Sequence, residues 1–389
     1  MKFYKALTSI LVLLLSVYNF SYCNILDNFI FKGVYEVNQN IFNYLNVYYG
    51  NEKLYIINEA RNPEYQISLY DVSDSIEYKF KLPDDIEFKG IKSFIVSNDT
   101  LFFTDWETFH AFKFNKNSTE HLFSTTLPDS FNYLKKIGDI VYLFKSSVSS
   151  SGYLSHACTR VEKIKLKLGK QSSLVLPDPA SVGFSFFGPT KIMDINQDYI
   201  AIADYDKYII HFYDLDGNLI DSINYSCPMW KNQNSQTIIP FGEETTNAIK
   251  YMNKIRPLTA KINLIHRIDF VENNLIVCWS EPTNEELTYN LFFDIWAKKD
   301  NKWTIVTSAN KGYDKNDTTN IRSASSFELI PQHYSIIGNY LIVFENMTTK
   351  DLFYQSLGSD ERNYENLKNQ YYKGKNNFKS IVAIYEINF

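Results

Sequence analysis

The stretch Pro189–Ile220, PTKIMDINQDYIAIADYDKYIIHFYDLDGNLI, alternates short apolar runs with polar turns. It reads as a strand at Lys191–Ile195, a turn at Asn196-Gln197-Asp198, a strand at Tyr199–Ala203 and a third at Lys207–Asp214. The turn Asp214-Leu215-Asp216-Gly217 leads into a closing strand, Leu219–Tyr225. Runs rich in β-branched and aromatic residues, bounded by Asn, Asp and Gly, have the chemistry of strands joined by tight hairpins. Four in succession make an antiparallel meander.

Pieces of this meander recur five more times. A polar turn precedes an apolar run at Gly50-Asn51 (Leu54–Ile57), Asn98-Asp99 (Leu101–Phe103) and Gly138-Asp139 (Ile140–Phe144). The same happens at Asn273-Asn274 (Leu275–Trp279) and Gly338-Asn339 (Tyr340–Phe344), with Gln197-Asp198 as the copy quoted first. Asn, Asp and Gly tolerate the positive φ of tight hairpins, so each marks the turn between a first and a second strand. The second strands are apolar without alternation, as expected of strands covered on both faces. Third strands are expected at Tyr65–Val72, Thr108–Asn115, His156–Lys165, Lys207–Asp214, Tyr289–Lys298 and Ser380–Phe389. Fourth strands follow in five copies, but the sixth runs out at Phe389, while Phe31–Asn38 is a strand without a unit of its own. The economical solution is an all-β, six-bladed β-propeller of four-stranded antiparallel blades. Its N-terminal strand completes the last blade, so that no sheet edge is left open at the seam. The blades are expected at about 39–88, 89–130, 131–180, 181–226, 261–310 and 325–389 plus 31–38, with insertions at 227–260 and 346–379.

The segment Ala203-Asp204-Tyr205-Asp206 through Asp214-Leu215-Asp216-Gly217 resembles an NHL-type propeller repeat. An Ala-Asp pair ends the second strand there and an Asp-x-x-Gly turn follows the third; Tyr208 stands where that repeat usually carries arginine. The chain as a whole is similar to the secreted six-bladed TolB-like propeller proteins of Bacteroidota. The resemblance implies a fold and an envelope or extracellular setting, and no activity.

The start of the chain agrees with export. Lys2 and Lys5 precede the apolar run Ala6–Val17, and Ser21-Tyr22-Cys23 follows, which is the layout of a signal peptide over residues 1–23. A lipid on Cys23 is the alternative use of that cysteine, and Tyr22 is bulky for it. Loss of the leader takes two lysines and no acid, moving the formal charge from −5 to −7. An acidic chain is a poor nucleic-acid binder. No later run is long enough for a membrane span, and a monomer is expected. Cys158, Cys227 and Cys278 are too few and too odd for a disulfide framework. Cys278, inside an apolar run, reads as a buried thiol.

In a four-stranded blade, the second-to-third loops and the blade connectors share one face. The long insertions Ser146–Ser155, Cys227–Lys261, Glu281–Thr288 and Asn346–Lys379 all fall there. Long loops of this kind are more often functional than short ones. Within Cys227–Lys261 a short helix is expected, with Glu243-Glu244 in its first turn and Pro257 beyond its end. The residues that end the second strands, Asn58, Asp105, Lys145, Asp204, Ser280 and Glu345, are all polar. Placed around the channel mouth with Trp106 and Glu281, they would form a ligand-binding ring, with Trp106 stacking on a sugar or peptide. The same residues serve equally well as turn formers. No cofactor is expected; Ca2+ is the ion such a carboxylate ring would take, although Lys145 argues against a dedicated cage. The chain has no His-Glu-x-x-His, Gly-x-Ser-x-Gly, Cys-x-x-Cys or phosphate-cradling loop, and its six histidines lack ligand spacing. The expected function is therefore a secreted binding protein or scaffold for a peptide, protein or glycan. The alternative is a propeller hydrolase or lyase using a divalent cation at the channel mouth.

Overall fold

The computed structural model describes residues 29–37, 47–62, 64–144, 160–166, 170–176, 191–204, 207–226, 230, 263–282, 289–307, 334–346 and 380–388. Strand β1 is Phe29–Val37. Blade 1 follows as β2 (Val47–Gly50), β3 (Lys53–Asn62), β4 (Tyr65–Asp71) and β5 (Ile76–Phe80). Blade 2 is β6 (Ser93–Ser97), β7 (Thr100–Thr104), β8 (Thr108–Asn115) and β9 (Ser118–Thr126). Blade 3 is β10 (Tyr133–Ile137), β11 (Ile140–Phe144), β12 (Arg160–Lys165) and β13 (Lys170–Val175). Blade 4 is β14 (Met193–Ile195), β15 (Ile200–Ala203), β16 (Ile209–Tyr213) and β17 (Leu219–Asn224). Blade 5 is β18 (Leu264–Val271), β19 (Asn274–Pro282), β20 (Tyr289–Lys299) and β21 (Lys302–Thr307). Blade 6 contains β22 (Tyr334–Ile337), β23 (Tyr340–Asn346) and β24 (Ser380–Ile387).

Each blade is an antiparallel four-stranded sheet, and the six together make a six-bladed β-propeller. The last sheet runs β22-β23-β24-β1, so the N-terminal strand is its fourth strand. Phe29 pairs with Ile387 and Val37 with Ser380, with a bulge between Phe31 and Gly33. Closure by the first strand, expected from the sequence, is what the chain does.

The hairpins show why these turns were legible. Asn51 and Glu52, Asn98 and Asp99, and Asp300 and Asn301 all take positive φ, as two-residue hairpin loops between twisted strands require. The loop in blade 5 is Glu272-Asn273, one residue earlier than the sequence suggests, with Glu272 at φ 53°. Blade 4 solves the problem with a side chain: Asn196 Oδ1 accepts hydrogen bonds from the amides of Asp198 and Tyr199, at 2.9 and 2.8 Å. The third strands end on the same device. Asp71, Asn115 and Asp214 each accept two backbone N–H groups from the hairpin that follows. Gly217 takes φ +93° in that turn, and a Cβ there would meet Leu174 of blade 3 at 2.7 Å.

Burial grades from the axis outward. The run Leu54–Ile57 is wholly buried, as are Ile200–Ala203 and Leu275–Trp279, whereas the outermost β9 and β17 are mostly exposed. Adjacent blades seal against one another with apolar side chains. Phe80, Phe112 and Phe114 join blades 1 and 2, and Tyr208, Trp279 and Trp296 join blades 4 and 5. Cys278 is buried in β19, as expected. Among the described residues no helix is long and apolar enough to cross a membrane. Residues 1–23, Cys23, Cys158, Cys227, Lys145 and the helix expected within Cys227–Lys261 lie outside the described residues.

Candidate functional site

Because every blade runs in the same strand order, two kinds of connection separate onto two faces. The first-to-second and third-to-fourth hairpins sit on one face and are short, as between Gly50 and Lys53, Ser97 and Thr100, or Lys299 and Lys302. The second-to-third loops and blade connectors leave from the other. The strand ends that flank the longest connections, Phe144 and Arg160, Asn224 and Leu264, Thr307 and Tyr334, and Asn346 and Ser380, all lie on that face. In blade 6 Asn346 pairs directly with Ser380 at this face.

The described part of this face is best seen around blade 2. Asp105 lies in the β7–β8 turn, 1% exposed. Its Oδ1 accepts the amides of Glu107 at 2.8 Å and Thr108 at 2.7 Å. Its Oδ2 lies 3.4 Å from His110 Nε2, and His110 Nδ1 lies 2.8 Å from Ser124 Oγ. His121 Nε2 approaches the same Oγ at 2.7 Å. One assignment satisfies all four groups. His110 donates Nε2–H to Asp105, Ser124 donates its hydroxyl to His110 Nδ1, and His121 donates to Ser124. Burial raises the Asp105 pKa, but hydrogen bonds from His110 and the Glu107 and Thr108 amides outweigh it and hold the carboxyl below its ordinary value. Burial, with a smaller push from His110, lowers His121.

Blade 4 places the same residue types at the same positions. Asp204, also 1% exposed, ends β15, and His211 Nε2 lies 3.7 Å from its Oδ1. His211 pairs across the sheet with Ser222, as His110 does with Ser124. A carboxylate and an imidazole thus come together at the same place in two blades.

Trp106 differs from its neighbour: it is 45% exposed, and Lys92 Nζ sits 3.0 Å above its ring. Burial lowers the Lys92 pKa, partly offset by Glu59. Glu59 in turn accepts the Ile91 amide at 2.8 Å and lies where a Cβ on Gly90, at φ +96°, would clash. Trp106, Lys92, Glu59 and Lys89, which pairs with Glu107 at 2.6 Å, form a mixed aromatic and charged surface. Asn58 is half-buried beside it in β3. Ser280 and Glu281 lie in β19 and Glu345 in β23, each near the end of a second strand on this face. The sheets place first strands innermost, so the second-strand ends stand one strand out from the channel. Among the described residues no group of three His, Cys, Asp or Glu side chains is arranged to hold a metal ion.

The channel itself holds a group of charges that the repeat alignment does not single out. Lys135 of β10 donates to Asp194 Oδ2 of β14 at 2.9 Å and to the Phe270 carbonyl of β18 at 3.4 Å. Lys191 lies 3.1 Å from Asp194 Oδ1 and donates to Asp269 Oδ1 at 2.6 Å. Arg267 grips Asp269 through Nε at 2.5 Å and Nη2 at 3.0 Å, and reaches Ser335 Oγ and the Ile336 carbonyl of blade 6 at 3.4 Å. The Phe270 amide donates to Asp194 at 2.6 Å. The network thus spans the innermost strands of blades 3 to 6. Burial raises the Asp194 pKa, but Lys135 and Lys191 more than reverse this and hold it low. The backbone joins in: Lys191 and Arg267 form a parallel bridge, with Lys191 N donating to His266 O at 3.1 Å and Ile268 N to Lys191 O at 2.8 Å. The signal was present in the sequence as charges inside otherwise apolar first strands, Tyr-Leu-Lys-Lys-Ile and His-Arg-Ile-Asp-Phe.

Tyr208, where the NHL repeat has arginine, is buried and donates its hydroxyl to Asp294 of blade 5 at 2.8 Å. Trp279 Nε1 donates to the same carboxylate oxygen at 2.8 Å, and Trp296 Nε1 to the Tyr208 hydroxyl at 3.1 Å. This departure from the repeat serves the seam between two blades.

No family model matches the chain, and no curated protein matches it. Among solved structures it is similar to a protein of Bacteroides fragilis named for its inferred export, at 12% identity and TM-score 0.48, over 92% of this chain and 95% of that one. A luciferin-regenerating enzyme aligns at 9% identity and TM-score 0.42, over 92% and 97% of the two chains. The WD40 domain of Neurospora crassa Pan2 aligns at 10% identity and TM-score 0.36, over 68% and 66%. The propeller assignment stands on this chain's own strand pairings.

Proposed function

We propose that this chain is an exported binding protein that holds a peptide, protein or glycan on the long-connection face of its propeller, in the manner of the TolB-like and NHL-like secreted propellers. The observation that carries this reading is the asymmetry of the two faces. Every long connection opens on one side of the ring, while the other side is closed by hairpins of a few residues. The leader-like residues 1–23 support export.

Trp106 is the anchor on that face, because an exposed indole backed by a cation offers a flat stacking surface for a sugar or a peptide. Asn58, half-buried on the neighbouring strand β3, supplies a polar contact beside it. Asp105, whose carboxylate is turned into the fold, holds its own turn in place. The test is a screen on glycan and peptide arrays with three proteins: the full chain, Trp106→Ala, and a variant whose residues 347–379 are replaced by a short Gly-Ser turn joining Asn346 to Ser380. Binders of the full chain that are lost by both variants, with the fold intact by circular dichroism, support the proposal. Binders that both variants retain would sink it.

A further inference from the structure

Lys92 and Trp106 together select the kind of ligand that the long-connection face anchors. Lys92 Nζ lies 3.0 Å from the centroid of the indole ring, which puts the ammonium against one of its two faces. The backbone fixes both partners: Lys92 N donates to the Thr104 carbonyl at 2.8 Å, and Asp105 N to the Thr108 carbonyl at 2.9 Å. Lys92 is half-buried, whereas Trp106 is 45% exposed. The ammonium therefore covers the inner face of the ring, and the exposed surface belongs to the outer face and the edge. Among the described residues Lys92 makes no side-chain hydrogen bond or ion pair, and Glu59 acts on it only at longer range. Lys89, by contrast, is held by Glu107 at 2.6 Å.

An indole face is ordinarily electron-rich, and it attracts cations and the slightly positive C–H groups of a sugar. An ammonium pressed against the back of the ring draws on that electron density, and in half-buried surroundings water screens it poorly. The outer face then favours a partner that is itself electron-rich and disfavours a cationic one.

We propose that the anchor of the ligand is an electron-rich aromatic side chain of a peptide, tyrosine or tryptophan, stacked on the outer face of Trp106. The inference rests on the reading of this face as the binding face and names its occupant. Ammonium, indole and ligand ring form a column in which each layer polarises the next. A sugar fits less well, because its C–H groups compete with the ammonium for the same electron density. An arginine or lysine side chain would meet a like charge through the ring. The formal charge of −5 makes a nucleic acid a poor source of the ring.

Stacking is read by NMR on the full chain carrying isotope-labelled tryptophan, whose five indoles include one N–H signal that vanishes in Trp106→Phe. The probes are the N-acetyl amides of tyrosine, pentafluorophenylalanine and arginine, and methyl β-glucoside. The tyrosine probe is expected to move the Trp106 signal upfield and to bind about 2–10-fold more tightly than the others. In Lys92→Met the order of the two rings reverses, since an indole without the cation prefers the electron-poor fluorinated ring, and in Lys92→Arg tyrosine again leads. The remaining indole signals report whether each variant is folded. Should Lys92→Met fail to fold, the order of the probes on the wild-type chain decides alone. A fluorinated, arginine or glucoside probe that binds as tightly as tyrosine overturns this inference, as does an order that Lys92→Met leaves unmoved. Either result leaves the binding face itself to be judged by the array screen. A Trp106 signal that no probe moves also overturns it.

Discussion

Lys191 and Asp269 come from neighbouring blades and meet at 2.6 Å, with 8% and 3% of their side chains exposed. The pair ties blade 4 to blade 5. Removing one partner strands the other in a dry site, which typically costs about 3–5 kcal/mol. Asp269→Ala is expected to lie in that range by urea denaturation, because Arg267 loses a carboxylate partner as well. The double variant Lys191→Met, Asp269→Leu is expected to recover part of the loss. A single-variant cost under about 1 kcal/mol, as for a surface pair, would contradict this role.

Acid should weaken the fold before the carboxylates titrate. Burial drives His266 from 6.5 down to about 3, so the unfolded chain binds a proton there that the folded chain does not. Stability from this group is complete above pH 6.5 and falls as the pH drops toward 3, at about 1.4 kcal/mol per unit. The shift of His121 has the same sign. Unfolding free energies from pH 7 to 4.5 should show this slope, and His266→Gln should flatten it. A wild-type profile already flat over that range would rule the mechanism out.

Glycine at 217 is needed for two reasons, its φ of +93° and the approach of Leu174. Gly138 has only one, a φ of +56° with open space where a Cβ would go. Gly217→Ala should therefore cost more than Gly138→Ala, about 2–4 against about 1 kcal/mol. Equal costs in chemical denaturation would show that Leu174 yields freely.

The sequence shows most of the architecture because turn chemistry is local. Asn98-Asp99 and Asp214–Gly217 announce hairpins wherever they stand, and the unpaired run after residue 30 announces the closing strand. The charged axis was harder to see, since Lys135, Asp194 and Asp269 lie far apart in the chain and meet only when three blades converge. Asp105 was ambiguous in a different way. A carboxylate at a strand end looks the same in sequence whether it opens to solvent or caps its own turn, and only the amides of Glu107 and Thr108 reveal the second use.

Asp105 consequently gives a clean contrast between fold and ligand. Asp105→Ala should lower stability by about 1–3 kcal/mol, since it leaves buried donors without an acceptor. Calcium or a chelator should leave the melting temperature of the parent unchanged. A calcium-dependent rise that Asp105→Ala abolishes would restore the carboxylate ring as a metal site.

The asymmetry of the two faces is tested most directly by lysine footprinting of the purified chain, alone and after incubation with an extract of its native source. Exposed Lys89 and Lys207 lie on the long-connection face, and exposed Lys116 and Lys302 flank hairpins on the other. The account predicts that acetylation of Lys89 and Lys207 falls several-fold in the extract while Lys116 and Lys302 react as before. Protection of Lys116 and Lys302 with Lys89 and Lys207 unchanged would contradict it.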